Sequence, residues 1–90
     1  LQFEWDEQKA NLNYRKHRVS FEEAQTVFSD PRSITIPDVD HSIEEERFID
    51  IGLSNQGRLL IVVYTERAER IRIISSRKAT ARESLIYEQD

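Results

Sequence analysis

Apolar positions along this chain alternate briefly, recur at helical spacing, then alternate again. Phe3-Glu4-Trp5 alternates and predicts a short first strand. Asp6 is placed to cap a helix from about Glu7 to Arg15, with Ala10, Tyr14 and His17 sharing one face. Ser20-Phe21-Glu22-Glu23 has the spacing of a capping box, in which the Ser20 hydroxyl accepts the Glu23 N–H and the Glu23 carboxylate accepts the Ser20 N–H. The helix it opens runs to about Phe28 on a stripe of Phe21, Ala24, Val27 and Phe28, and Asp30-Pro31 stops it.

From Ser33 onward the period is two. Ser33–Ile36 reads as a strand ended by Pro37-Asp38, and Asp38 to Glu46 as an acidic irregular segment. Phe48 to Leu53 places Ile49, Ile51 and Leu53 on one face. Ser54-Asn55-Gln56-Gly57 is a turn, and Gly57 suits a positive φ there. Leu59 to Tyr64 is unbroken and apolar, the pattern of a central strand covered on both faces. Arg67–Arg70 makes a tight connection to a last strand, Ile71 to Ser75. Thr80-Ala81-Arg82-Glu83 repeats the capping-box spacing and opens a terminal helix expected to turn Leu85 and Ile86 inward. Short connections favour antiparallel neighbours. The expected fold is α+β: a small antiparallel meander with two N-terminal helices and a C-terminal helix on one sheet face, residues 1–90 forming one domain.

Composition narrows the chemistry. There is no cysteine, so no disulfide and no thiolate ligand, which fits a reducing, cytoplasmic setting. No apolar stretch has the length of a membrane span and no signal-peptide pattern is present, so no membrane partner is expected. The net charge of −4 is unevenly spread: residues 1–50 hold 6 Lys+Arg against 12 Asp+Glu, and residues 51–90 hold 7 against 5. Within 67–82, Arg67, Arg70, Arg72, Arg77, Lys78 and Arg82 face a single acid, Glu69. Arginine predominates in that strip, and its planar guanidinium suits phosphate or carboxylate. Strict alternation divides it, with Arg70, Arg72 and Ile74 on one face and Ile71, Ile73, Ser75 and Arg77 on the other.

Metal and nucleotide chemistry find no support in the spacing. His17 and His41 lack partners at ligand spacing, and Gly52 and Gly57 make no phosphate-cradling loop. No cofactor and no metal are expected. Arginine, lysine, histidine and glutamate suffice for cleavage of RNA without metal, in which the 2′-hydroxyl attacks its own phosphate while cations stabilise the added charge and side chains move protons. Local readings stand beside this. Arg77 could pair with Glu83 or Glu88, Lys16-His17 could match a helix C-terminus, Glu83 could serve only its capping box, and Arg47 could pair with the glutamates before it.

Phe3-Glu4-Trp5-Asp6, Asn11, Lys16-His17, Val19 to Ala24 and Phe28, then Arg47, Ile51-Gly52, Gly57-Arg58, Thr65-Glu66-Arg67 and Ile71 to Ser75, then Arg77, Ala79, Arg82-Glu83 and Tyr87 form an ordered set spanning essentially the whole chain. That set resembles the BrnT toxins. The resemblance implies a RelE-like fold, a ribonuclease activity that blocks translation, and a BrnA-type antitoxin partner that carries the DNA contact. Carried over by position, it marks Arg77, Glu83, Arg47 and Ser75 as catalytic candidates, with Lys16 and His17 next, and Arg58, Arg67 and Arg82 as RNA contacts. Two functions follow as alternatives: an endoribonuclease toxin, or a non-catalytic module that binds an antitoxin-like protein. Direct DNA binding lacks a basic recognition-helix pattern.

Overall fold

A computed structural model describes residues 1–89 of the chain. Five strands and three helices are arranged as β1 (Gln2–Glu4), α1 (Glu7–His17), α2 (Phe21–Thr26), β2 (Ile34–Pro37), β3 (Arg47–Leu53), β4 (Leu59–Arg67), β5 (Arg70–Lys78) and α3 (Ala81–Glu88). Short 3-10 turns follow α2 at Val27–Ser29 and precede β3 at Val39–His41. No described helix is long and apolar enough to cross a membrane.

The sheet order is β1-β5-β4-β3-β2. The meander from β2 to β5 is antiparallel and β4 is central, as its unbroken apolar run predicts. The sheet as a whole is mixed, however, because β1 pairs parallel with β5. The expectation of a purely antiparallel sheet fails there for a plain reason. Short loops constrain only strands that are neighbours in sequence, and β1 and β5 are separated by the rest of the fold.

The main core lies between the sheet and α1–α2. Val19, Phe21, Ala24 and Val27 meet Leu60, Val62, Tyr64, Ile71 and Ile73, all buried. Phe3, Phe28, Tyr64 and Phe48 form a chain of ring contacts across its end, with centroids 4.9 to 5.7 Å apart. On α1 the buried residues are Ala10 and Asn13, while Tyr14 turns outward. Asn13 substitutes for a neighbouring strand at the free edge of β5: its Nδ2 donates to the carbonyls of Ser76 and Val19, and its Oδ1 accepts the Ser76 N–H. A buried polar side chain is thus satisfied, and the Ser76 peptide is closed to another strand.

The second face of the sheet carries Ile51 and Ile61, both nearly fully buried yet outside the main core. α3 contacts β3 and pairs through Glu83 with Arg77 on this face, so the helices flank the sheet on both faces and not on one. This helix turns Glu83 and Tyr87, one helical turn apart, toward the protein, where the Tyr87 hydroxyl donates to Asp30 at 2.7 Å. Leu85 and Ile86 consequently point outward, 55% and 44% exposed, contrary to the inward orientation expected from hydropathy.

Both predicted caps form, but differently. At α3 the Thr80 hydroxyl accepts the Glu83 N–H and Glu83 accepts the Thr80 N–H, a complete box. At α2 only the Ser20 half exists, because the Glu23 carboxylate turns inward to Ser54 and Arg58.

Candidate active site

Cross-strand partners project from the same side of a sheet, so the register assigns each candidate a face. On the face away from α1 and α2, Arg47, Thr65, Arg72 and Glu4 form one row across β3, β4, β5 and β1. Ile49, Val63 and Ser75 form the next row, and Ile51, Ile61 and Arg77 the third. Gln2, Arg70 and Arg67 lie at the opposite end.

This grouping depends on a β-bulge. The β4–β5 register shifts between Val63 and Tyr64, so Tyr64 opposes Ile73, Val63 opposes Ser75, and Ile74 is left without a partner. One extra residue reverses the alternation beyond it. Arg70, Arg72, Ser75 and Arg77 therefore share a face, although regular alternation separates the first two from the last two. The same shift delivers Ile71 and Ile73 to the core below and Ser75 and Arg77 to the face above.

Acids meet most of these arginines. Arg77 Nη1 and Nη2 donate to the two oxygens of Glu83 at 2.8 and 2.9 Å, a bidentate pair linking β5 to α3. Arg77 and the Thr80 N–H hold the Glu83 carboxyl down at about 2 despite partial burial, and Glu83 pushes the Arg77 pKa up in return. Glu83 is thus a carboxylate at neutral pH, and the expected local pairing with Arg77 is made. Arg67 donates from Nε and Nη2 to Glu45. Arg72 and Arg70 each donate once to Glu4, at 3.0 and 3.4 Å. The Arg47 guanidinium makes no ion pair or hydrogen bond with a carboxylate among the described residues, although Glu44 and Glu45 line the same pocket and Glu45 feels its charge. The Arg47 backbone N–H binds the Ser42 hydroxyl, which anchors the start of β3.

Lys16 and His17 lie at the end of α1, beside β5. A shallow cleft of roughly 250 Å³ between α1 and the free edge of β5 is lined by Lys9, Leu12, Asn13, Lys16, His17, Ile74 and Ser75. It contains three cationic or ionisable bases and no carboxylate. Ser75 is shared by this cleft and the Arg72–Arg77 face, whereas Arg77 does not line the cleft that holds Lys16 and His17. Arg47 stands two strands away from β5, in the row of Arg72, one row along from Ser75 and two from Arg77.

Two candidate RNA contacts lie elsewhere. Arg58 is on the α2 side, where Nε and Nη2 donate to Glu23 and Nη2 also donates to the Arg18 carbonyl. Glu23 is buried and also accepts the Ser54 hydroxyl, so this arginine neutralises a buried carboxylate and ties α2 to the β3–β4 turn. Arg82 sits exposed in the first turn of α3. The sequence pattern did not single out Lys9 or Glu4 as site residues, and it set Arg72 on the strand face opposite Ser75 and Arg77. Lys9 stands one face-repeat from Lys16 on α1, a visible spacing, whereas Glu4 and Arg72 required the parallel pairing and the bulge.

Comparisons with known proteins bear on the family and the fold. Residues 5–83 match the model of a family described as the ribonuclease toxin, BrnT, of type II toxin–antitoxin systems. The fold is similar to the 1.1 Å crystal structure of the Brucella abortus ribonuclease toxin BrnT, with a TM-score of 0.69 and 24% sequence identity, over 89% of this chain and 97% of that one. Comparison with curated proteins gives no match. With a family match over most of its length, on a fold shared with a BrnT crystal structure, the chain belongs to the BrnT family of ribonuclease toxins of type II toxin–antitoxin systems.

Proposed function

We propose that this chain is a metal-independent endoribonuclease that blocks translation in the cytoplasm and is neutralised by a BrnA-type antitoxin, contacting DNA only through that partner. The observation that carries the catalytic reading is the shared sheet face of Arg47, Arg72, Ser75 and Arg77, with Ser75 also lining the cleft that holds Lys16 and His17. In this reading the 2′-hydroxyl oxygen forms a bond to the adjacent phosphorus and the 5′ oxygen leaves, giving a 2′,3′-cyclic phosphate and a 5′-hydroxyl end. The 2′-hydroxyl proton passes to a base, and an acid returns one to the leaving oxygen. Arg77 and Lys16 stabilise the charge that grows on phosphorus, and Ser75 donates to a phosphate oxygen. His17 serves proton transfer. Glu83, held ionised by Arg77, orients that guanidinium.

The test is incubation of purified RNA with the purified chain in excess chelator. Fragments ending in cyclic phosphate are expected, with a substrate carrying a single 2′-deoxy substitution spared at that position. Arg77→Ala should abolish cleavage and relieve growth arrest in bacteria expressing the chain. Intact RNA in the presence of verified folded protein, or cleavage only on addition of a divalent ion, overturns the reading.

A further inference from the structure

We infer that Arg72 is a phosphate-binding residue of this site and that Glu4, on the first strand, is the residue that positions it. The inference rests on the ribonuclease reading above and extends it to an element outside β5, α1 and α3. The bulge at Ile74 is the first support, since it turns Arg72 onto the face that carries Ser75 and Arg77. The register is the second: Arg72 shares a row with Arg47, separated only by Thr65 on β4. Thr65 is buried and spends its hydroxyl on the Glu46 carbonyl, so the row offers a short side chain between two arginines. A phosphate above Thr65 is therefore flanked by cations from both sides, and the one carboxylate near both Arg47 and Arg72 among the described residues, Glu45, is itself paired with Arg67.

Donor counting distinguishes Arg72 from its neighbours. A guanidinium has five N–H donors. Arg77 spends both terminal nitrogens on Glu83, and Arg67 spends Nε and Nη2 on Glu45. Arg72 gives a single hydrogen bond to Glu4 at 3.0 Å and keeps the rest of its fork uncommitted among the described residues. It is also better held than Arg70. Its side chain is 30% exposed against 59%, and its bond to the shared carboxylate is shorter by 0.4 Å. A half-buried arginine fastened at one nitrogen, with its other donors open, is preorganised for an anion. Glu4 provides the fastening, and the parallel β1–β5 pairing, Glu4 opposite Arg72, places it there.

The deciding measurement separates binding from turnover. A single-stranded 2′-O-methyl oligoribonucleotide, which cannot be cleaved, is titrated against the wild-type chain, Arg72→Gln and Glu4→Gln across a salt series. Arg72→Gln keeps the side-chain stem in place, and circular dichroism confirms folding. Loss of one phosphate contact should weaken binding roughly tenfold and flatten the slope of log K against log salt by about 0.7. Arg72→Lys, which keeps the charge and loses the fork, should retain the slope and lower kcat. Glu4→Gln leaves the charge of Arg72 intact, so its slope and KM should stay near wild type while kcat falls several-fold. An unchanged slope in folded Arg72→Gln, alongside wild-type RNA binding, overturns this inference and leaves the ribonuclease reading standing. A wild-type chain that neither binds the oligonucleotide nor cleaves RNA overturns both.

Discussion

Arg58 and Arg77 each fork onto a glutamate, yet their surroundings give them different work. Glu23 is buried among the α2 contacts, and among the described residues Arg58 is the cation that hydrogen-bonds it. Removing one member of a buried pair strands the other. Arg58→Ala should therefore destabilise the fold by on the order of 3 kcal/mol in urea denaturation. RNA cleavage per folded molecule should be unchanged, and a selective loss of RNA affinity without loss of stability would return Arg58 to the binding surface. Arg77 lies on the exposed face, 40% accessible, with Glu83 beside it rather than beneath it. Glu83→Gln removes the charge that holds the guanidinium but leaves a side chain able to cap α3. Its expected effect is a drop in kcat of about tenfold, with a change in stability under about 1 kcal/mol. A large shift in melting temperature with normal turnover of the folded fraction would make the pair purely structural.

At the scale of elements, two contacts decide how the pieces dock. Asn13 on α1 closes the backbone of Ser76 on β5 with two hydrogen bonds and reaches Val19 with a third. Asn13→Ala should cost about 1–3 kcal/mol, since the Ser76 N–H and carbonyl are left buried and unpaired. The loss should be accompanied by faster amide exchange at Ser76. Gly52 marks where β3 touches the turn after α2: a Cβ there would lie 2.7 Å from Val27 Cγ1 and 3.0 Å from Ser33 Cβ. Gly52→Ala should destabilise by about 1–3 kcal/mol through displacement of Val27, checked by denaturation. The contacts of α3, by contrast, run through Glu83 and Tyr87. Its apolar Leu85 and Ile86 contribute little to the fold, so hydropathy misled where a polar clamp dominates.

For the whole molecule, acid stability is a balance of carboxylates shifted in opposite directions. Arg58 and Arg77 hold Glu23 and Glu83 below the ordinary value of 4.5. The unfolded chain then binds more protons in that range, so stability rises with pH, and the contribution of Glu83 is lost as pH falls from 4.5 toward about 2. Asp50 works the other way. Burial raises it above 3.8, although Thr35 and Tyr64 both donate to its Oδ1, at 2.7 and 2.9 Å. The folded state keeps that proton longer than the unfolded chain, so its stability falls as pH rises through the interval. Asp50→Asn retains an acceptor for both hydroxyls and removes the ionisation. Its melting temperature should exceed that of wild type near pH 7 and converge with it near pH 3. A wild-type advantage at pH 7 would show that the charge of Asp50 is compensated.

Much of this architecture was legible along the chain because it rests on local rules. The caps at Asp6, Ser20 and Thr80, the antiparallel meander, the central position of β4 and the turn at Gly57, whose φ is +75°, all follow from neighbouring residues. The family resemblance, too, was carried by short ordered motifs. The candidate site was legible as a set of residues and not as an arrangement. Two tertiary facts made it one: the parallel return of β1 beside β5, and a single unpaired residue, Ile74, that reversed the alternation. Period-two reasoning holds only while strands stay in register. A bulge is set by what packs on both sides of a strand, here Ile71 and Ile73 below and Ser75 and Arg77 above. The residue types were therefore present in the sequence, and the face they share was decided only when the sheet closed over its two layers of helices.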